Sequence, residues 1–172
     1  MQQEHLQIFG TAKILLSRLN SRVSARESQN IVRQLVEFIT QKPYFRLLLD
    51  PEITFTPEQS RLWTELSKRL LQGEPLQYVI GETTFRTLQL KLQPGVLIPR
   101  PETEELVDCA IQHRQSQKDN PIYKVCDIGC GSGCIALSIA YEIPHSQVTA
   151  VDVSPIANSV NRQRAQRHGV ED

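Results

Sequence analysis

The sequence predicts an α + α/β chain: an N-terminal helical bundle, a β-hairpin linker, and then the start of a parallel α/β sheet. Three observations predict it. Apolar residues in the first 73 positions recur at helical spacing. Residues 76–98 switch to a period of two and contain the turn Pro94-Gly95. From Ile122 onward, apolar strand patterns alternate with helical ones, the order of a parallel sheet. The composition sets limits on function. The 172 residues carry 19 basic and 19 acidic side chains, so the chain lacks the broad basic field of a non-specific nucleic-acid binder. No apolar run approaches the roughly 20 residues of a membrane-spanning helix. The N-terminus shows no basic segment followed by an apolar core, and four cysteines do not make a secreted disulfide scaffold. The expectation is a cytoplasmic protein with no membrane partner and no direct nucleic-acid partner.

The elements follow in order. Leu6, Phe9, Leu15, Leu16 and Leu19 mark a first helix. Ser24-Ala25-Arg26-Glu27 is a capping box, and behind it Ile31, Val32, Leu35, Phe38 and Ile39 share one helix face. Pro43 opens a short helix that closes near Asp50-Pro51. Thr56-Pro57-Glu58-Gln59 starts another, with Leu62, Leu66 and Leu70 as its buried stripe and Gly73 as its stop. Tyr78-Val79-Ile80, Phe85, and the alternating Leu88, Leu90 and Leu92 read as strands. Pro101 to Glu105 opens a helix whose apolar face is Leu106, Val107, Ala110 and Ile111, and His113 to Asn120 reads as a polar loop. Ile122 to Ile128 is a strand, Ile135 to Ile143 a helix, Gln147 to Val153 a strand. Ser154-Pro155 caps a last helix ending near Gly169. The domain reading is 1–73 helical, 74–98 hairpin linker, and 99–172 sheet domain.

The chemistry sits between the two parallel strands. Asp127-Ile128-Gly129-Cys130-Gly131-Ser132-Gly133 is a strand running into a glycine-rich turn that a helix leaves. Glycine suits positions of positive φ and close ligand approach, and the helix N-terminus offers N–H groups to a polar ligand. Asp152 lies at the end of the next strand, where a carboxylate can accept hydrogen bonds from both hydroxyls of an adenosine ribose. Loop and carboxylate together read as an adenosine-cofactor site. The dinucleotide pattern G-x-G-x-x-G/A fits poorly, because its last position is Cys134, and the glycines follow G-x-G-x-G instead.

The stretch resembles motif I of class I S-adenosylmethionine methyltransferases, which have a Rossmann-like sheet. Gly73-Glu74-Pro75-Leu76-Gln77-Tyr78, Gly81-Glu82, Phe85 and Gly95-Val96-Leu97-Ile98-Pro99-Arg100-Pro101-Glu102-Thr103-Glu104 sharpen the match. With the glycine loop they resemble the protein-(glutamine-N5) methyltransferases of the release-factor, HemK/PrmC, type. The resemblance implies an N-terminal substrate-recognition domain and S-adenosyl-L-methionine as cofactor. It implies methylation of the glutamine in the Gly-Gly-Gln motif of peptide-chain release factors, a step of translation termination. Gly129, Cys130, Gly131, Ser132 and Gly133 would contact the cofactor, Asp152 would hold its ribose, and Asp127 would order the loop. The family clamps the target amide with an Asn-Pro-Pro-Tyr motif, because an amide is a poor nucleophile and alignment matters greatly. No such run occurs here. Asn120-Pro121-Ile122-Tyr123 precedes the glycine loop and can only start a strand. No catalytic residue is therefore assigned, and the chain reads as the front half of such an enzyme, without turnover alone. The alternative is a non-catalytic module that binds a release factor or a ribosomal partner.

Several features look like sites and read otherwise. Cys126, Cys130 and Cys134 fall on a strand, a loop and a helix start, so they are expected to be buried structural thiols, and Cys109 to be a packing residue. His5, His113, His145 and His168 are scattered, and no metal site is assigned. Trp63 reads as core. Arg162, Arg164 and Arg167 read as a solvated helix face.

Overall fold

The computed structural model describes residues 7–50, 52–117, 122–168 and 170. Their contacts divide the chain into two compact units between Ile80 and Gly81. The first unit holds α1 (Ile8–Leu19), α2 (Ala25–Thr40), α3 (Tyr44–Leu47), α4 (Pro57–Leu71) and α5 (Leu76–Ile80). Both start signals form as local caps. The Ser24 hydroxyl accepts the Glu27 N–H, and Thr56 and Gln59 close a reciprocal box at 3.0 and 3.2 Å. The apolar stripes meet around Leu35, Val36 and Phe55, with the Trp63 ring stacked at 5.3 Å from Phe55. Trp63 is thus core, as its spacing predicts. Leu6 and His5 lie outside the described residues.

One expected strand is a helix. Tyr78-Val79-Ile80 belongs to α5, where the N–H groups of Tyr78 and Val79 both reach the Pro75 carbonyl. The β-branched pair was overridden by burial of Leu76 and Val79, three apart, in the helical core. Arg69 fixes the turn. Its guanidinium grips both Glu74 oxygens and donates to the carbonyls of Tyr78 and Val79.

The second unit begins with an antiparallel hairpin, β1 (Glu82–Phe85) and β2 (Leu88–Lys91), in register Phe85 opposite Leu88. Leu88 and Leu90 are buried while Gln89 and Lys91 are exposed, the expected alternation. α6 (Thr103–Ser116) follows and runs through residues read as loop, while 118–121, which include Asn120 and Pro121, lie outside the described residues. Val107 is the buried residue of α6, whereas Leu106 is exposed. Next come β3 (Tyr123–Ile128), α7 (Cys134–Glu142), β4 (Ser146–Val151) and α8 (Pro155–His168). β3 and β4 pair in parallel, Val125 opposite Val148 and Ile128 opposite Val151, with α7 as the crossover. Phe85, Leu88 and Leu90 of the hairpin share one core with Val107, Tyr123, Leu137 and Ile139. The strand–helix–strand–helix order is the opening of a Rossmann-like sheet. The sheet face away from α7 is uncovered among the described residues: Ile128 is 83% and Val153, just past β4, 102% exposed. No helix among the described residues is long and apolar enough to cross a membrane.

Candidate functional site

The glycine loop leaves the C-terminal end of β3 and turns into α7. Gly129, Gly131 and Gly133 all adopt positive φ, from 51° to 77°. The Gly129 and Cys130 N–H groups bond the Val151 carbonyl at 2.7 and 3.1 Å, which ties the loop to the end of β4. Asp152 follows directly. One of its oxygens accepts the Gly131 N–H at 2.7 Å and the other the Ser154 N–H at 2.8 Å. These backbone bonds hold its carboxyl below the usual aspartate range, so it stays ionised near neutral pH. An ionised carboxylate has about four acceptor positions, and these two bonds leave others open.

Asp127, at the end of β3, serves α7. Its carboxylate accepts the Ala136 N–H at 3.2 Å, one of the unpaired donors at the start of α7. Burial pushes its pKa up, the Ala136 bond opposes that, and the Asp152 charge adds to it. Asp127 is thus a brace between β3 and α7.

The structure brings in Asn161, which the sequence did not flag, and Arg164, which it read as solvated. Asn161 and Arg164 of α8 lie beneath the loop. The Asn161 amide donates to the Cys130 sulfur at 3.1 Å and to the Gly131 carbonyl at 3.2 Å. The Arg164 guanidinium donates to the carbonyls of Ser132 and Lys91. Arg164 is only 4% exposed, which corrects the reading of Arg162, Arg164 and Arg167 as one solvated face. Arg162 is exposed, and the Arg167 side chain lies outside the described residues. Ala157, Asn161 and Arg164 recur at i, i+4 and i+7, the spacing of a buried stripe, but the stripe is polar and hydrophobic periodicity does not see it. Leu97, in the segment before α6, also reaches the loop: its Cβ is 4.0 Å from where a Cβ on Gly131 would stand.

The thiols divide. Cys130 and Cys134 are buried, and burial raises both of their pKa values. Cys126 and Cys109 are exposed, against expectation. Cys126 points to the uncovered sheet face, and Cys109 to the outer side of α6. Among the described residues no three His, Cys, Asp or Glu side chains are placed to hold a metal ion. A cavity of about 590 Å³ lies between α7, β4 and α8, lined by Leu137, Val148 and Ala165 among others. Gly133 of the loop lines it too, and loop and carboxylate together form a ledge at the C-terminal ends of the strands, where ligands of parallel α/β sheets bind.

A glycine loop after one parallel strand, bonded to a carboxylate after the next, belongs to the Rossmann-like class of α/β domains. A family model described as a methyltransferase domain matches residues 119–172, and one described as the PrmC N-terminal domain matches residues 15–81. The release factor glutamine methyltransferase of Coxiella burnetii is 38% identical over 137 residues, 80% of this chain and 48% of that protein. The human MTRF1L release factor glutamine methyltransferase is 41% identical over 68% of this chain and 36% of its own length. That of Lactococcus lactis is 45% identical over 64% of this chain and 40% of its own. The chain belongs to the release factor glutamine methyltransferase family, HemK/PrmC type. It spans about half the length, or less, of the curated relatives it matches.

Proposed function

We propose that this chain serves S-adenosyl-L-methionine-dependent N5-methylation of the glutamine in the Gly-Gly-Gln motif of peptide-chain release factors, and that its share is to hold the cofactor. The observation that carries this is the bond from the Gly131 N–H to Asp152, which joins loop and carboxylate into one ledge. Gly129, Cys130, Gly131, Ser132 and Gly133 would line the cofactor, and Asp152 would accept its ribose hydroxyls at the positions left open. The cofactor supplies an electrophilic methyl group. The chain's own contribution is orientation: Asp127 braces the helix start and Asp152 fixes the loop. The 172 residues contain no Asn-Pro-Pro-Tyr run, so no residue is assigned to clamp the amide.

Calorimetry with S-adenosylhomocysteine and with NADH tests the reading. S-adenosylhomocysteine is expected to bind more tightly, and Asp152→Ala to weaken it about tenfold, the worth of one charge-assisted hydrogen bond. Binding of NADH alone overturns the methyltransferase assignment.

The helical unit favours a partner role alongside. Phe45, Leu48 and Leu49 are exposed next to one another on and just past α3, an apolar patch of the kind protein partners cover. The partner in this reading is a release factor. A pull-down of release factors with the 172-residue chain, weakened by Phe45→Ser and Leu49→Ser together, is the expected result. Equal retention by the double variant removes the patch from the reading.

A further inference from the structure

The polar stripe of α8 has no role in the reading above. Arg164 is the most costly member of that stripe. Its guanidinium is buried with no carboxylate partner among the described residues, its Nε has no hydrogen-bond partner there, and burial pulls its pKa down to about 10. A buried cation without a counter-ion works against the fold, and an apolar side chain of similar size is the more stable choice. What the charge achieves is a bridge. One nitrogen holds the Ser132 carbonyl in the glycine loop and the other the Lys91 carbonyl at the end of the hairpin, 73 residues apart in sequence from Arg164. Beside it, Asn161 holds the next carbonyl back, that of Gly131, and fills the space under Gly133. Three successive loop residues thus rest on two side chains one helical turn apart.

We propose that Arg164, with Asn161, is a positioning residue that sets the shape of the cofactor loop and couples that shape to the hairpin. The proposal rests on the cofactor reading of the loop for its purpose, though not for its geometry. Arg164 touches no cofactor atom in this account; it acts through the Ser132 carbonyl. Carbonyls drawn back onto Arg164 and Asn161 hold the loop in the turn that brings the Gly131 N–H onto Asp152. The charge is retained at a cost in stability because the planar guanidinium presents several N–H donors in a fixed fork that spans both carbonyls.

Amide hydrogen exchange on the 172-residue chain tests this, with Arg164→Met, Arg164→Lys and the exposed control Arg162→Met. In Arg164→Met the amides of Gly131, Ser132 and Gly133 are expected to exchange about tenfold faster, the equivalent of one lost charge-assisted hydrogen bond. Amides of Val125 and Val148 in the strands are expected to keep their rates, and Tm to hold or rise. Arg164→Lys, which reaches one carbonyl but not both, is expected to fall between, and Arg162→Met to match the parent. Unchanged loop exchange overturns the proposal. So does a uniform acceleration of loop and strands with a lower Tm, which would make Arg164 an ordinary core residue. A parallel titration separates the two claims. If the parent chain binds S-adenosylhomocysteine, Arg164→Met is expected to bind about tenfold more weakly at equal or higher Tm. If the parent does not bind it, the cofactor reading fails, and the exchange rates still decide what Arg164 does.

Discussion

Arg86, at the turn of the hairpin, grips both carboxylate oxygens of Glu142 at the end of α7, at 2.7 and 2.8 Å. The same guanidinium reaches Asp108 at 2.7 Å, and the Arg86 N–H donates to Glu104. Glu142 and Asp108 hold the guanidinium further above its already high value. One side chain therefore pins the hairpin to α6 and to α7, the helix whose other end carries the glycine loop. Because Arg86 and Glu142 are each under one-fifth exposed, Glu142→Ala is expected to cost the second unit about 2 kcal/mol, less than a fully buried pair. Breaking the exposed Arg33–Glu37 pair of α2 is expected to cost only about 0.3 kcal/mol. Urea unfolding followed through NMR signals of each unit compares them.

Gly133 tolerates no side chain. Its φ is +71°, and a Cβ there would stand 2.3 Å from the Asn161 Oδ1 and 2.7 Å from its Cγ. Gly133→Ala is expected to cost about 2 kcal/mol or more, from the left-handed backbone plus displacement of Asn161. Adding Asn161→Ala removes the collision but not the backbone strain, so the double variant should recover part of the loss. A double-mutant cycle in urea reads the coupling.

The two aspartates of the site titrate in opposite directions. Asp152 lies below its ordinary value, so its stabilisation is present above that value and is lost as pH falls through the lowered one. Asp127 lies above its ordinary value, so its contribution is full at low pH and is lost as pH rises through the raised one. Relative to the parent, Asp152→Asn is expected to lower Tm at about pH 7 and to match it near pH 2. Asp127→Asn, which keeps an acceptor for the Ala136 N–H, is expected to raise Tm at neutral pH and to leave it unchanged at about pH 3. Thermal melts across that range give both curves.

The uncovered face of the sheet carries Ile128, Val151 and Val153 side by side. Apolar surface of this kind binds hydrophobic dyes and invites self-association. Ile128→Lys with Val153→Lys is expected to lower dye fluorescence to about half or less at unchanged Tm. An unchanged signal would place the dye elsewhere.

What the sequence made legible was local. The Ser24 and Thr56 caps, the hairpin alternation, the glycine loop between two strands and the position of Asp152 just past β4 all depend on residues within a few positions of each other. The failures have a common cause in distant partners. α5 looks like a strand until Leu76 and Val79 find the helical core and Arg69 takes the carbonyls of Tyr78 and Val79. Arg164 looks solvated because arginine normally is; its partners lie 32 and 73 residues away. Cys126 looks like a core thiol because β3 is apolar, but among the described residues only one face of β3 is covered.

The two capped helices of the first unit have a consequence in time. Each cap closes within four residues, and the described residues that build the α1–α5 core lie between Ile8 and Ile80. Contacts this local form fast. The second unit waits for β4, because β3 has no strand partner among the described residues until Ser146–Val151 has been made. On a ribosome the helical unit is thus finished and folded while the glycine loop, already synthesised, still has no strand end to rest on.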